Sequence, residues 1–319
     1  MNDNKSKKIK VLLTSCGGLT GTYLAKYFNG LKKYQLFGID NNIDVVTKNW
    51  LDYFHQAPLV SDEKFSNFLY KYLNENSIDV IIPVTSYDIE YFANKFDHKK
   101  SKAKLMISSK NLLNELNDKK SCYELLKTNN ISVPKIYNPQ NLTYPCFAKP
   151  RKGTGSTGAV FVKNKLQYEG ILDASKMLFT EYLDGPEYTV DTFFNSRSRC
   201  LGYNVRRREK VVSGGATITK NCHGFNFKEF ISFLEKLGYI GPLNFQFKLR
   251  DYKPIIFDVN TRLASGGLAL TVKSGFDIPQ LIIANSLGHM NESENASTWS
   301  LPNKNKNLKM IKYYEETYI

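Results

Sequence analysis

Cysteine is sparse and unpatterned in this chain. The five residues Cys16, Cys122, Cys146, Cys200 and Cys222 are dispersed, odd in number and include no CxxC pair. Such usage argues against a disulfide framework and spells out no zinc site, and it fits reduced thiols. No apolar run is long enough to span a bilayer. The opening Met1-Asn2-Asp3-Asn4-Lys5-Ser6-Lys7-Lys8 lacks the apolar core of a secretion signal, so a cytoplasmic protein with no membrane association is expected. No Walker GKS/T follows any glycine loop, and internal repeats and long low-complexity segments are absent. Acidic residues are in deficit: 44 Lys and Arg face 30 Asp and Glu, a formal charge of +14. The lysines are spread widely, with small clusters at 5–10, 99–104 and 304–309, and no nucleic-acid module accompanies them. The excess suits anionic small substrates, and no nucleic-acid partner is expected.

What is present is a soluble-protein composition over 319 residues, enough for two or three compact units. The most informative stretch is Ile255-Ile256-Phe257-Asp258-Val259-Asn260-Thr261-Arg262. Its alternation predicts a strand with Asp258, Asn260 and Arg262 on one face. Leu243-Asn244-Phe245-Gln246-Phe247-Lys248 alternates in the same way, and residues 250–254 between the two runs read as a turn. A hairpin with one apolar face and one face of carboxylate, amides and cations suits Mg²⁺ held against phosphates. It is equally the pattern of an ordinary hairpin with a solvated polar face.

Elsewhere, residues 9–14 form an apolar strand that runs into Ser15-Cys16-Gly17-Gly18-Leu19-Thr20-Gly21 and a helix through Leu31. This is a Rossmann-like opening. The glycine spacing is not GxGxxG, so the loop reads as tight packing or as a site for part of a substrate. Strands at 35–39 and 80–84, with a helix at 64–76, make the first 110 residues a small α/β unit with a parallel sheet. A helix is expected at 122–129. Tyr144-Pro145-Cys146-Phe147-Ala148-Lys149-Pro150 is a strand that ends in a lysine. Arg151-Lys152-Gly153-Thr154-Gly155-Ser156-Thr157-Gly158 then turns into the strand 160–162. Its backbone N–H groups could cradle phosphate oxygens, although such a loop is often a plain flexible turn. Strand-like pieces flank Asp184-Gly185-Pro186. On the strand that carries Arg206-Arg207-Arg208, the outer two share a face, as in an anion clamp or a solvated basic edge. A helix at 228–237 precedes the hairpin, another is expected at 277–287, and 309–314 looks like a closing strand.

The order of these elements resembles the ATP-grasp superfamily, in particular its short, carbamoyl-phosphate-synthase-like members of the carboxylate–amine ligase type. The resemblance rests on Asp118-Lys119, on Phe147-Ala148-Lys149-Pro150, and on the glycine hairpin. It rests further on Glu181-Tyr182-Leu183 with Glu187, and on Gln246…Asp258-x-Asn260-x-Arg262. It implies an α/β and α+β chain: a Rossmann-like pre-ATP-grasp domain over residues 1–110, a central subdomain with a glycine-rich lid over 111–185, and a C-terminal subdomain with the Mg/ATP site over 186–319.

The resemblance also implies roles. Lys119 and Lys149 would contact the phosphates of ATP, under a lid that includes Gly153, Gly155, Ser156, Thr157 and Gly158. Glu181, Tyr182 and Leu183 would meet adenine, and Glu187 the ribose. Gln246, Asp258 and Asn260 would surround Mg²⁺ (or Mn²⁺), and Arg262, Arg206 and Arg208 would act on the transferred phosphoryl group or the substrate carboxylate. The expected activity is amide formation from a small carboxylate and an amine through an acyl phosphate, on an amino acid, amino sugar, sugar acid or short peptide. The alternatives are another acyl- or carboxyl-phosphate-forming member, or a non-catalytic nucleotide-binding module. Dimers are common among such proteins, and this sequence writes no coiled coil. Two positions depart from the family pattern: Asp258 stands where Glu is usual, and Thr261 where Pro is usual. The four histidines (His55, His98, His223, His289) fall at no motif position.

Overall fold

The computed structural model describes residues 7–289 except Thr154, Ser156 and Ser213, and residues 307–316 except Tyr314. The chain opens with β1 (Ile9–Thr14), α1 (Leu19–Leu31), β2 (Tyr34–Asp40), β3 (Tyr53–Gln56), α2 (Lys64–Glu75), β4 (Val80–Pro83), α3 (Ser86–Lys95) and β5 (Lys104–Leu105). The strands pair in parallel in the order β3-β2-β1-β4-β5. Apolar residues at every position of β1 from Val11 to Leu13 and of β4 from Val80 to Ile82 are buried, as expected of a parallel sheet covered on both faces. The reversal of strand order between β1 and β4 creates a crevice at their carboxyl ends, where α/β folds place ligands.

Two helices follow, α4 (Lys110–Asn117) and α5 (Lys119–Thr128). α5 begins three residues earlier than apolar periodicity suggests. The Asp118 carboxylate caps it, accepting from the backbone N–H groups of Lys120 and Ser121 at 3.1 and 3.0 Å. The next strands are β6 (Ile136–Tyr137), β7 (Cys146–Pro150) and β8 (Val160–Val162). After α6 (Lys165–Glu169) comes β9 (Met177–Glu181), and the four strands form an antiparallel sheet in the order β6-β9-β7-β8. Cys146, Ala148, Val162 and Phe179 give this sheet its own small core.

The chain then crosses to a six-stranded antiparallel sheet, with strand order β14-β13-β10-β11-β12-β15. Its elements are β10 (Glu187–Phe194), β11 (Cys200–Val212), β12 (Gly215–Cys222), α7 (Lys228–Lys236), β13 (Gly241–Arg250), β14 (Lys253–Asn260), α8 (Leu268–Lys273), α9 (Ile278–Ser286) and β15 (Lys309–Ile311). The strand-like pieces on either side of Asp184-Gly185-Pro186 therefore belong to different sheets. The β13–β14 hairpin turns through Asp251 and Tyr252, both at positive φ (49° and 61°). That left-handed pair matches the right-handed twist of the strands it joins. β11 has neighbours on both sides, so Arg206 and Arg208 are not on an edge strand.

One apolar cluster joins the parallel sheet to the rest of the chain. Leu24, Phe28, Val11 and Val80 share it with Phe193, Leu263, Phe276 and Leu281. Tyr34 Oη donates to Gln280 Oε1 at 2.8 Å, and Tyr27 Oη to the Asp277 carboxylate. The N-terminal crevice is thereby fixed over the end of the β13–β14 hairpin.

Candidate active site

The hairpin is not a uniform ladder. Gln246 pairs with Asp258 and Phe247 with Ile256, so Phe257 is an extra, bulged residue on β14. Its carbonyl accepts hydrogen bonds from Tyr123 Oη and Lys149 Nζ. Lys149 Nζ also donates to Tyr123 Oη at 2.8 Å and lies 4.9 Å from the centre of the Tyr123 ring. The bulge thus places the β7 lysine beside Asp258. Burial pushes the Lys149 ammonium down to about 8, against the attraction of Asp258 and with the repulsion of Lys119.

On the cavity side of the hairpin, Asn260 Nδ2 donates to Asp258 Oδ2 at 2.8 Å, and Asn244 Nδ2 to the Arg262 carbonyl at 2.8 Å. Gln246, Asp258, Asn260 and Arg262 line a narrow polar cavity of about 50 Å³ with Arg206, Arg208, Thr189 and Gly155. Lys248, expected on the same face, lies beyond the bulge; it donates to the Leu183 carbonyl at 2.8 Å and sits over the Tyr182 ring. Among the described residues no three of His, Cys, Asp and Glu converge as a metal cluster. Asp258, with the carbonyl oxygens of Asn260 and Gln246, is a donor set that fits a Mg²⁺ ion completed by phosphate oxygens and water.

The three arginines differ in how they are held. Arg206 is fully buried and forms a bidentate pair with Asp191, with Nε–Oδ2 at 2.8 Å and Nη2–Oδ1 at 3.2 Å. Gly267 covers its guanidinium so closely that a Cβ there would lie 2.1 Å from Cζ. Arg208 donates to the Glu187 carboxylate and, from Nη2, to the Gly214 carbonyl at 2.7 Å. Its buried Nε has no partner among the described residues. Arg262 donates from Nε to Ser86 Oγ at 2.8 Å. Desolvation pushes Arg208 and Arg262 downward, opposed by Glu187 and Asp258 respectively.

Arg262, Gly155 and Ser265 also border a larger cleft of about 660 Å³, formed at the carboxyl ends of β1, β2 and β4. Gly21 is fixed by packing, since a Cβ there would meet the Cys16 carbonyl oxygen at 2.1 Å, whereas Gly18 opens onto the cleft. Asp88 organises its floor. The carboxylate accepts from Ser15 Oγ, Thr85 N and Thr85 Oγ1, each at 2.8 Å, and burial pushes it up.

The remaining expected residues lie around these cavities. Lys119, Gly153, Asp258 and Asn260 border a small adjoining pocket, and Lys119 Nζ donates to the Gly153 carbonyl at 3.1 Å. Glu181 accepts from Lys135 N and from Arg250 Nη1, both at 2.8 Å. With Tyr182 and Leu183 it forms the crossover between the two antiparallel sheets and lines none of the three cavities described. Glu187 reaches the site through Arg208. Thr157 and Gly158 are exposed on the hairpin arm, and Ser156 lies outside the described residues. Sequence patterning did not single out Tyr123, Ser86, Asp88, Asp191 or Gly267. Each acts across a long sequence separation on a residue that did stand out.

The family model described as ATP-grasp in the biosynthetic pathway with Ter operon matches residues 173–309. Among solved structures, the chain resembles an L-amino acid ligase from Bacillus licheniformis, with a TM-score of 0.69, 16% identity, and 91% of this chain and 77% of the other covered. It also resembles biotin carboxylase from Campylobacter jejuni, at TM-score 0.70 and 16% identity over 91% and 73% of the two chains. For N5-carboxyaminoimidazole synthetase from Staphylococcus aureus complexed with ADP, the TM-score is 0.66 and the identity 16%, over 88% and 78%. No curated protein matches the chain in sequence. At these identities the structural likeness speaks for the fold alone, which is that of these ATP-grasp neighbours over nearly the whole length, and the family match covers residues 173–309.

Proposed function

We propose that this protein is an ATP-dependent carboxylate–amine ligase that activates a small carboxylate as an acyl phosphate and passes the acyl group to an amine. One observation carries the reading. The arginine-lined polar cavity, with a single carboxylate and three amides beside a buried lysine, opens through Arg262 into a cleft of small-molecule size.

Phosphoryl transfer to a carboxylate demands positioning and charge neutralisation more than covalent chemistry from the protein. Bound Mg·ATP would supply the transferable phosphoryl group and the divalent charge. Asp258, Asn260 and Gln246 would hold the metal, and Lys149 and Lys119 would neutralise phosphate oxygens. Tyr123 and the Phe257 carbonyl keep the Lys149 ammonium pointed at one place, so its reorganisation on binding is small. Arg262, held by Ser86 at the junction of cavity and cleft, would orient the substrate carboxylate and stabilise charge on the transferring group. Arg208, which lines the same cavity, would add positive charge there. Arg206, neutralised by Asp191, would act as a fixed wall that presents its remaining N–H groups to the cavity. Glu187 would meet the ribose, and Glu181, Tyr182 and Leu183 the adenine. Gly153, Gly155, Thr157 and Gly158 would shield the acyl phosphate from water. The three-part division at residues 110 and 185 belongs to the same proposal, as does a cytoplasmic setting.

The test is turnover of Mg·ATP against a matrix of carboxylates and amines, with ADP and phosphate quantified and products weighed by mass spectrometry. An amide-mass product with ADP supports the reading. ADP formed without dependence on any amine would overturn it in favour of a carboxyl-phosphate-forming activity.

A further inference from the structure

The cleft at the carboxyl ends of the parallel strands has a chemistry of its own. Three large apolar side chains that are more than half exposed, Leu19 (60%), Leu59 (57%) and Tyr87 (60%), all border it. Such residues gathered on one concavity mark a binding surface for apolar groups. Among the described residues that line it, two carry formal charge, Asp40 and Arg262.

Asp40 ends β2, and Ser86, which holds Arg262, begins α3 directly beyond β4. β1 lies between the two strands, so the charges stand about two strand spacings apart, roughly 10 Å. That is the span of a small molecule, not of a polymer. Each Asp40 carboxylate oxygen accepts one backbone N–H, from Gly17 at 2.7 Å and from Asn42 at 3.0 Å. One lone pair on each oxygen is left for a donor in the cleft.

Resting on the ligase reading above, we infer that the carboxylate substrate is an apolar amino acid. Its carboxylate faces Arg262, its ammonium group faces Asp40, and its side chain lies against Leu19, Leu59 and Tyr87. A sugar acid would have to turn its hydroxyls toward Ser15, Ser61 and Thr85, because any set against Leu19, Leu59 or Tyr87 would lose water without gaining a partner.

The experiment pairs calorimetric titration of the nucleotide-free protein with ADP release under Mg·ATP. The probes are leucine and phenylalanine of both hands, glutamate and glucuronate, each with a panel of amines. Binding of leucine or phenylalanine with ADP release is expected. Leu59→Asp, at an exposed position, should raise the apparent KM for that amino acid at least tenfold and leave the KM for ATP unchanged. Asp40→Asn should do the same. ADP release with glucuronate and none with the apolar amino acids would overturn the inference and leave the ligase reading standing. Calorimetric binding of leucine that Leu59→Asp removes, with no ADP release from any pair, would uphold the cleft chemistry and sink the ligase reading. No binding of leucine or phenylalanine overturns the inference.

Discussion

Arg262 Nε and Ser86 Oγ lie 2.8 Å apart, and this hydrogen bond joins the end of the β14 strand to the first residue of α3 across 176 positions of sequence. It fixes the cation at the border between the polar cavity and the cleft. In Ser86→Ala the guanidinium loses that anchor, and a hydrogen bond to a charged group is worth about 1.5–3 kcal/mol. The apparent KM for the carboxylate should rise about tenfold or more, while the KM for ATP stays as it was. Steady-state kinetics with each substrate varied in turn check this, and an equal rise in both constants would contradict the assignment.

Lys149 makes the site sensitive to alkaline pH. Its pKa is depressed to about 8 from an ordinary 10.5, so the free protein loses this positive charge as pH rises through about 8. Affinity for Mg·ATP should fall over that range, and binding there should take up a proton. The stability sign runs the other way. Between about 8 and 10.5 the unfolded chain holds the extra proton, so the cost of burying the ammonium, complete below 8, is relieved as pH rises through the window. Titration of a non-hydrolysable ATP analogue in buffers of different ionisation enthalpy reads the proton uptake. Lys149→Arg should remove the pH dependence, since arginine keeps its charge there.

Removal of charge at the site should abolish chemistry without unfolding the protein. Lys149→Ala and Asp258→Ala are expected to eliminate ATP turnover with unchanged far-ultraviolet circular dichroism. Full activity in either would refute the placement of the phosphates and the metal.

Glu187 and Arg208 form an ion pair on neighbouring strands β10 and β11. With the ribose assigned to Glu187, Glu187→Ala should weaken ATP binding more than it slows turnover. A ratio of KM change to kcat change below one would argue that the glutamate serves Arg208 instead.

The Arg206–Asp191 pair is buried on both sides, with each side chain 2% exposed. Asp191 also accepts from Thr271, which in turn accepts from Asn204 Nδ2 at 3.0 Å. Loss of one member of such a pair leaves an uncompensated charge in the interior and costs about 3–5 kcal/mol. Asp191→Asn should lower the denaturant midpoint accordingly, with the slope of the transition unchanged; a shift under about 1 kcal/mol would mean that water reaches Arg206.

The sequence by itself determined the parallel opening sheet, the β13–β14 hairpin, and the shared face of Asp258, Asn260 and Gln246. Those follow from alternation, glycine placement and apolar runs, which act over a few residues. Lys149 at a strand end and Arg206 with Arg208 on one face were legible for the same reason. The early start of α5 was missed because its capping bond comes from Asp118, outside the apolar pattern. Only the tertiary structure decided what each charged group meets. The bulge at Phe257 is a pairing property of two strands, and it releases the carbonyl that gathers Tyr123 and Lys149. The partners Ser86, Asp191 and Tyr123 approach Arg262, Arg206 and Lys149 only because the parallel sheet, α5 and the six-stranded sheet pack together. Whether a surface arginine pattern becomes a buried pair or an open donor is set by that packing, which no local pattern encodes.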